Sequence, residues 1–225
     1  MARVGLAEVT QRIADAARRA GRPLDSITLV AIGKGRPIAE LRELYEAGHR
    51  HFGENRAQEL AGKVGALPAD VVWHFVGPLQ TNKVRIVRPA VELLHSMDRV
   101  ELGAAWVKGP GLPPPVLMQV NVGGEPQKHG VDPADAASTC RELLGLGLTV
   151  RGLMTLPPVA EEPEQSRRYF VELADLRRRL AEDFPTVSDL SMGMSDDFEV
   201  AVEEGATLIR VGRAIFGPVP AIGVS

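Results

Sequence analysis

The sequence contains one cysteine, Cys140, in 225 residues. A single cysteine excludes an internal disulfide and any metal site built from several cysteines. Cys140 lies in the helical pattern DAASTCRELLGL, so we expect a packing or surface residue. The N-terminal segment is polar and amphipathic and lacks the unbroken apolar core of a signal peptide. We therefore predict a cytoplasmic protein.

Long apolar runs and an excess of basic charge are also missing. No run approaches the roughly 20 residues that span a bilayer, so we expect no membrane partner. The net charge of -3 gives no general attraction for nucleic acid, and the stretch QTNKVR carries too few charges to bind it. His51 and His74 have no carboxylate or second histidine at metal-ligand spacing, so we predict core histidines and no metal site.

What the sequence does contain is a regular alternation of short apolar runs with amphipathic helical patterns. Strands that alternate with helices favour a parallel sheet, because parallel pairing needs a crossover. We predict an α/β fold, a single (β/α)8 TIM barrel over residues 1–225 with an extra N-terminal helix. An open doubly wound sheet is the alternative, but it is expected to carry G-x-G-x-x-G after its first strand, and no such motif occurs. The predicted strands are ITLVAIGK, HRHFGEN, VVWHFVGP, ELLHSMD, PVLMQVNVG, LTVRGLMTLPP, DLSMGMSD and TLIRVGRAIFG.

Polar residues near the ends of these strands fall on one face. Side chains alternate along a strand, and the apolar sets suit the helix-covered outside of a barrel. The residues that remain for the interior near the C-terminal ends are Lys34, Asn55, Asn121, Ser195 and Arg210. Barrels build their ligand sites at that end. Lys34 and Arg210 have no predicted interior carboxylate beside them, so we expect an anionic ligand.

The segments GMSDD and RVGRAIFG follow the last two strands, where barrels commonly hold phosphate. Gly212 allows close backbone approach. We expect Ser195 to cap a helix that starts near Asp196 and also to reach a phosphate. Asp196 and Asp197 would repel a phosphate, so we expect both carboxylates to point away.

A lysine beside a phosphate site indicates carbonyl chemistry. We expect Lys34 to be desolvated and near another cation, which frees its amine to attack a carbonyl. A Schiff-base aldolase and a pyridoxal 5'-phosphate (PLP) site both use this pair. An aldolase needs a carboxylate or tyrosine as proton shuttle, whereas these strand ends supply amides, hydroxyls and an arginine. PLP needs a group opposite its ring nitrogen, and Arg210 is the candidate.

Almost the whole chain, from Leu29 to Gly217, resembles the pyridoxal phosphate homeostasis protein family. The motifs that carry the resemblance, in order, are LVAIGKGRP, HFGENRAQEL, WHFVGPLQTNKV, SMDR, MQVNVGGEPQKHG, RGLMTLPP and LSMGMSDDFEVAVEEGATLIRVGRAIFG. The resemblance implies a PLP-binding barrel like that of bacterial alanine racemase, without the second domain of the racemase. The cofactor-binding residues that it implies are Lys34 at the aldehyde, Asn55 beside the cofactor, Ser195 with Gly212 and Arg213 at the phosphate, Arg210 at the ring nitrogen, and Lys128 near the mouth.

The sequence departs from the family pattern on both sides of the lysine and at the phosphate. The family usually has Ser-Lys-Thr where this chain has Gly33, Lys34 and Gly35. It usually has Thr or Ser where this chain has Arg213. Either the Arg213 guanidinium replaces the lost hydroxyl contact, or it points outward and leaves only its N–H for the phosphate.

Two function classes fit the resemblance, a PLP carrier and a PLP-dependent enzyme such as an amino-acid racemase. A guanidinium opposite the ring nitrogen disfavours the protonated ring and weakens its electron sink. Alanine racemase adds a tyrosine from its other domain, whereas Tyr45 and Tyr169 lie in helical patterns here. We predict a monomeric, non-catalytic carrier that binds, buffers and delivers PLP, with PLP-dependent apo-enzymes as candidate recipients. A phosphate-binding barrel without an imine is a third hypothesis.

Overall fold

A closed barrel of eight parallel strands forms the centre of the protein. The computed structural model describes residues 2–125, 127 and 129–218. Each strand pairs with the next in chain order, and the last closes on the first. This confirms the predicted TIM barrel, and each predicted segment contains the observed strand with shorter ends. The strands are β1 (Thr28–Ile32), β2 (His51–Glu54), β3 (Val72–Phe75), β4 (Leu93–Met97), β5 (Val116–Gln119), β6 (Val150–Met154), β7 (Asp189–Ser191) and β8 (Leu208–Val211).

Helices cover the outside of the barrel and connect its strands. They are α1 (Ala2–Arg19), α2 (Ile38–Glu46), α3 (Ala57–Val64), α4 (Val84–Val87), α5 (Val100–Trp106), α6 (Ala136–Gly145), α7 (Arg167–Asp183), α8 (Phe198–Glu203) and α9 (Arg213–Phe216). In α6, Cys140 is buried, and burial raises its pKa to about 11. The interpretation of Cys140 as a packing residue is confirmed.

The extra N-terminal helix is α1, which packs against α8 and α9. It buries Val9, Ile13 and Ala16, whose spacing of four and three residues keeps them on one helix face. The helices meet closely because Gly5 has no side chain, and a Cβ there would lie 2.2 Å from the carbonyl oxygen of Ile215. These contacts place α1 on the outside of the barrel, against the two helices that flank β8 in the chain.

Alternating side chains divide the strands between two cores, as predicted. Outward residues pack under the helices in the larger cluster. Inward residues form a small apolar cluster of Val30, Ile32, Leu93, Leu117, Met154 and Leu208. Lys34 has the parity of Val30 and Ile32, and Arg210 that of Leu208. The rest of the interior is polar, which is unusual for a buried space and points to the site described next.

Among the described residues, no helix is both long and apolar enough to cross a membrane. In the same part of the chain, no three histidine, cysteine, aspartate or glutamate side chains are grouped so that they could hold a metal ion.

Candidate functional site

A cavity of about 620 Å³ opens at the C-terminal mouth of the barrel. Its volume suits a small-molecule ligand. The structure brings together in this mouth cavity the predicted residues Lys34, Asn55, Ser195, Arg210, Gly212 and Arg213. Asn121 does not line the cavity, because its Nδ2 donates to the carbonyl oxygen of Glu125 at 3.0 Å instead. Lys128 lies outside the described residues, so its predicted place near the mouth stays a prediction.

Lys34 lies in the turn that follows β1, and its side chain is exposed. Our expectation of a desolvated lysine is therefore wrong, because the turn carries the side chain to the open rim and not into the packed interior. The turn is set by Gly35, which has a φ of 66° and donates its N–H to Glu59 Oε2 at 2.8 Å. A left-handed φ favours glycine, the residue that this chain has where the family usually has threonine.

Gly33, on the other side of the lysine, packs against a buried ion pair. Lys63 Nζ lies 2.7 Å from Glu54 Oε1 and donates to the Gly33 carbonyl oxygen, also at 2.7 Å. A Cβ on Gly33 would lie 2.8 Å from Glu54 Oε1. The absence of the family's serine thus leaves room for the pair. Burial raises the pKa of Glu54, although the Lys63 ammonium opposes that shift.

Arg210 lies at the floor of the mouth cavity and is 4% exposed. Its Nη1 donates to Ser191 Oγ at 2.5 Å, and its Nη2 donates to the carbonyl oxygen of Thr155 at 2.8 Å. No carboxylate among the described residues forms an ion pair with it, which leaves its charge available to a ligand. Burial lowers the pKa of Arg210 to about 10, so the guanidinium remains charged at neutral pH.

Ser195 joins the two loops in which we expect phosphate to bind. Its Oγ accepts the backbone N–H of Ala214, in the first turn of α9, at 3.2 Å. The predicted cap of a helix starting near Asp196 is wrong, because α8 begins at Phe198 and Ser195 turns toward α9 instead. At Gly212, a Cβ would lie 3.3 Å from the Ile32 carbonyl oxygen, so a side chain there would crowd β1.

Arg213 and Asp196 form an exposed ion pair at the rim of the mouth cavity. Of the two alternatives for Arg213, the structure has an exposed guanidinium engaged by a carboxylate. Asp197 turns back as expected, since its Oδ1 accepts the Met194 N–H at 2.7 Å. The expectation that Asp196 also avoids the cavity is wrong, because its attraction to Arg213 holds it at the rim.

The mouth cavity has the positive charge of an anion site and, separately, one buried hydrogen-bond acceptor without a partner. Four cationic residues line it, Lys34, Arg36, Arg210 and Arg213, against the single carboxylate of Asp196. Asn55 Oδ1 is buried and has no hydrogen-bond partner among the described residues. A buried acceptor without a partner costs about 1–3 kcal/mol, which a donor on a ligand or a water would offset. A phosphorylated ligand with a polar ring substituent fits both features.

Sequence reasoning missed Arg36, which lines the mouth cavity, and His95, which is buried in the barrel interior behind it. Arg36 is 6% exposed and bonds the Gly217 carbonyl oxygen, but it follows β1 in a loop, where strand alternation gives no signal. His95 could have been found, because it shares the interior parity of Leu93. His74 is buried, which confirms the core interpretation. His51 is only half-buried at the start of β2.

A second cavity of about 690 Å³ adjoins the first and shares Asn55 and Pro78 with it. It is lined by Arg99 and His129 among others and contains neither Lys34 nor Arg210. The second cavity has no amine beside a buried guanidinium. The mouth cavity is therefore the better candidate for carbonyl chemistry.

Fold and site together define a parallel (β/α)8 barrel with an amine, a buried guanidinium and a hydroxyl at its mouth. Residues 4–220 match the family model described as alanine racemase, N-terminal domain. The chain is 44% identical over 218 residues to the pyridoxal phosphate homeostasis protein of Aquifex aeolicus, covering 94% of this chain and 96% of that one. The chain belongs to the alanine racemase N-terminal domain family and, within it, to the pyridoxal phosphate homeostasis proteins.

Two solved structures agree with this assignment. A protein of unknown function from Bifidobacterium adolescentis superimposes with a TM-score of 0.89 at 34% identity, over 94% of this chain and 93% of that one. PipY of Synechococcus elongatus PCC7942, with PLP bound, gives a TM-score of 0.76 at 35% identity, over 93% of this chain and 100% of PipY. The resemblance noted from the sequence is thus confirmed.

Proposed function

We propose that this protein binds PLP in the mouth cavity and acts in PLP homeostasis as a carrier that buffers and delivers the cofactor. The observation that carries the proposal is the placement of the Lys34 amine, the buried Arg210 guanidinium and the Ser195 hydroxyl around one cavity. The PLP bound to PipY and the name of the Aquifex aeolicus relative support it.

The predicted site residues then have the following roles toward PLP. PLP would supply an aldehyde when bound, and Lys34 would offer it a primary amine at the open rim. The Ser195 hydroxyl and the backbone N–H groups of Gly212 and Arg213 hold the phosphate. Arg210 would donate an N–H to the ring nitrogen, and Asn55 Oδ1 would accept from the ligand or from a water beside it. Lys128, which lies outside the described residues, would assist in handling the cofactor, as the family resemblance implies.

The carrier hypothesis is favoured over an enzyme by what surrounds the ligand. A guanidinium has no lone pair to accept a proton, so Arg210 keeps the ring nitrogen unprotonated and the ring a poor electron sink. No histidine, tyrosine, cysteine or glutamate in the described part of the chain lines the mouth cavity, and Asp196 is engaged by Arg213. Tyr45 is remote, since its hydroxyl donates to Asp70 beside α2.

Deuterium exchange at the α-carbon of amino acids distinguishes a carrier from an enzyme. The PLP-loaded protein is incubated in deuterium oxide with a panel of amino acids, and loss of the α-proton is followed by NMR. We expect exchange no faster than with the same concentration of free PLP. Exchange that is much faster, stereoselective and abolished in Lys34→Ala would establish an enzyme. A parallel assay mixes the loaded protein with a PLP-dependent apo-enzyme, and we expect recovery of its activity at a rate unlike that with free PLP.

We propose in addition that the carrier is a cytoplasmic monomer with PLP-dependent apo-enzymes as recipients and no need of a metal. The buried, unpaired Cys140 is consistent with a reducing compartment. Light scattering coupled to size exclusion, with and without PLP, tests the monomer, and a mass twice that of the 24.2 kDa chain would contradict it.

A further inference from the structure

A continuous chain of hydrogen-bonded side chains runs through the barrel interior behind Arg210. Ser191 Oγ lies 2.8 Å from His95 Nδ1, and His95 Nε2 lies 2.9 Å from His74 Nδ1. His74 Nε2 lies 3.1 Å from His51 Nδ1 at the start of β2. We call Ser191, His95, His74 and His51 the interior relay. It extends from the floor of the mouth cavity to the opposite end of the barrel.

The direction of every bond in the relay follows from Arg210. A guanidinium only donates, so Ser191 Oγ must accept from it. The single hydroxyl proton of Ser191 then goes to His95 Nδ1, its other hydrogen-bond partner among the described residues. A neutral His95 that accepts at Nδ1 carries its proton on Nε2 and donates to His74. The same rule makes His74 donate from Nε2 to His51.

The relay is neutral as well as directional. His95 and His74 are buried, and burial lowers the pKa of His74 to about 3 and that of His95 well below its usual value. Two cations lie near these rings, Arg210 at one end and Arg151 at the other, and both disfavour an imidazolium. The carboxylate of Asp189, at the lower end, is already engaged by Arg151 and Thr207.

We propose that Ser191, His95 and His74 are positioning residues for Arg210, which fix its guanidinium so that its unused N–H groups face the ring nitrogen of the cofactor. The advantage of this design is that neutral acceptors hold the arginine without cancelling its charge. A carboxylate in the place of Ser191 would orient the guanidinium equally well but would neutralise it. The inference rests on the proposed function, because it assigns the relay a role toward PLP.

The first test uses the protein without cofactor. Nitrogen–proton NMR of the histidine rings reports the tautomer of each ring. We expect His95 and His74 as Nε2–H tautomers with slowly exchanging protons and no titration between about pH 5 and 8. An Nδ1–H tautomer at either ring, or titration in that interval, would overturn the direction of the relay.

The second test follows the ring nitrogen itself, with PLP labelled with 15N at that atom. In the unaltered protein we expect the nitrogen to stay unprotonated down to about pH 5. In Ser191→Ala and His95→Leu we expect the pH midpoint of its protonation to rise by about one unit, since Arg210 is no longer held against it. His95→Asn should restore the original value, because its amide oxygen replaces Nδ1 as acceptor. His49→Gln is the matched control, since His49 bonds a backbone carbonyl beside the relay.

The outcomes separate the two proposals. If the unaltered protein takes up no PLP, the proposed function fails, while the ring tautomers still decide the relay. If PLP binds and its nitrogen titrates identically in Ser191→Ala, His95→Leu and the control, the positioning role is wrong and the carrier function stands. If His95→Leu does not fold, Ser191→Ala, which removes one oxygen atom, decides.

Discussion

Lys63 and Glu54 form an ion pair of 2.7 Å at side-chain exposures of 11% and 0%. The pair connects α3 to the end of β2, and Lys63 also binds the carbonyl oxygen of Gly33. The turn that carries Lys34 is thus braced by a buried charge pair. Since Gly33 directly precedes Lys34, the position of the amine depends on this contact.

Removing one partner of that pair should destabilise the fold strongly. Lys63→Met leaves the Glu54 carboxylate buried without its cation, and we expect the free energy of unfolding to fall by about 3–5 kcal/mol. The double variant Lys63→Met with Glu54→Leu should recover most of the loss, because no charge then remains buried. Urea denaturation measures both, and a double variant as unstable as the single one would contradict this account.

The glycine after the lysine should resist substitution. Gly35→Ala forces a side chain into a φ of 66° and should lower the free energy of unfolding by about 1–2 kcal/mol. Gly62 in α3 is the matched control, since a Cβ there meets nothing within 4 Å. Gly62→Ala should leave stability equal or raise it by up to about 1 kcal/mol. Equal effects at the two glycines would show that backbone conformation does not explain the departure from the family.

Arg213 and Asp196 should act in opposite directions on PLP release. Arg213→Ala removes a cation from the phosphate end, so we expect release to quicken about threefold to tenfold, which corresponds to about 1 kcal/mol. Asp196→Asn removes the carboxylate that engages Arg213 at the rim, so release should slow by a similar factor. Stopped-flow transfer of PLP to an excess of an amine scavenger measures the rate. Unchanged release in both variants would mean that the pair does not reach the phosphate.

Acid should destabilise the protein through its buried histidines. Burial lowers the pKa of His49 to about 4 from 6.5. Between these values the unfolded chain binds a proton that the folded one does not, so the stability present above pH 6.5 is lost as the pH falls toward 4. Each such histidine contributes a slope of about 1.4 kcal/mol per pH unit. His49→Gln should remove one such slope between about pH 6 and 5 in urea denaturation, and an unaltered slope would contradict the burial.

Strand alternation predicted most of the polar residues that line the mouth cavity, because it needs only the parity of side chains on short strands. It placed Arg210 in the barrel and Lys34 at its mouth. It did not predict that Lys34 is exposed, since the height of a side chain above the barrel depends on the turn at Gly35. Ser195 was assigned to the wrong helix, because a cap depends on where α8 begins, and this one begins at Phe198.

The polar interior was the part least accessible from sequence. Ser191, His95 and Thr155 lie on three different strands or strand ends, and only closure of the barrel brings them to one arginine. Each taken alone is typical of an ordinary core residue. Their joint role depends on distances that no local pattern encodes.

Reduction with borohydride tests the central claim most directly. The protein and Lys34→Ala are loaded with PLP, their visible spectra are recorded before and after reduction, and the digested protein is examined by mass spectrometry. We predict a yellow protein that borohydride bleaches, with the cofactor fixed to the peptide that contains Lys34 and no such adduct in the variant. A protein that stays colourless with PLP, or an adduct that persists in Lys34→Ala, would contradict the account and leave a phosphate-binding barrel without an imine at this lysine.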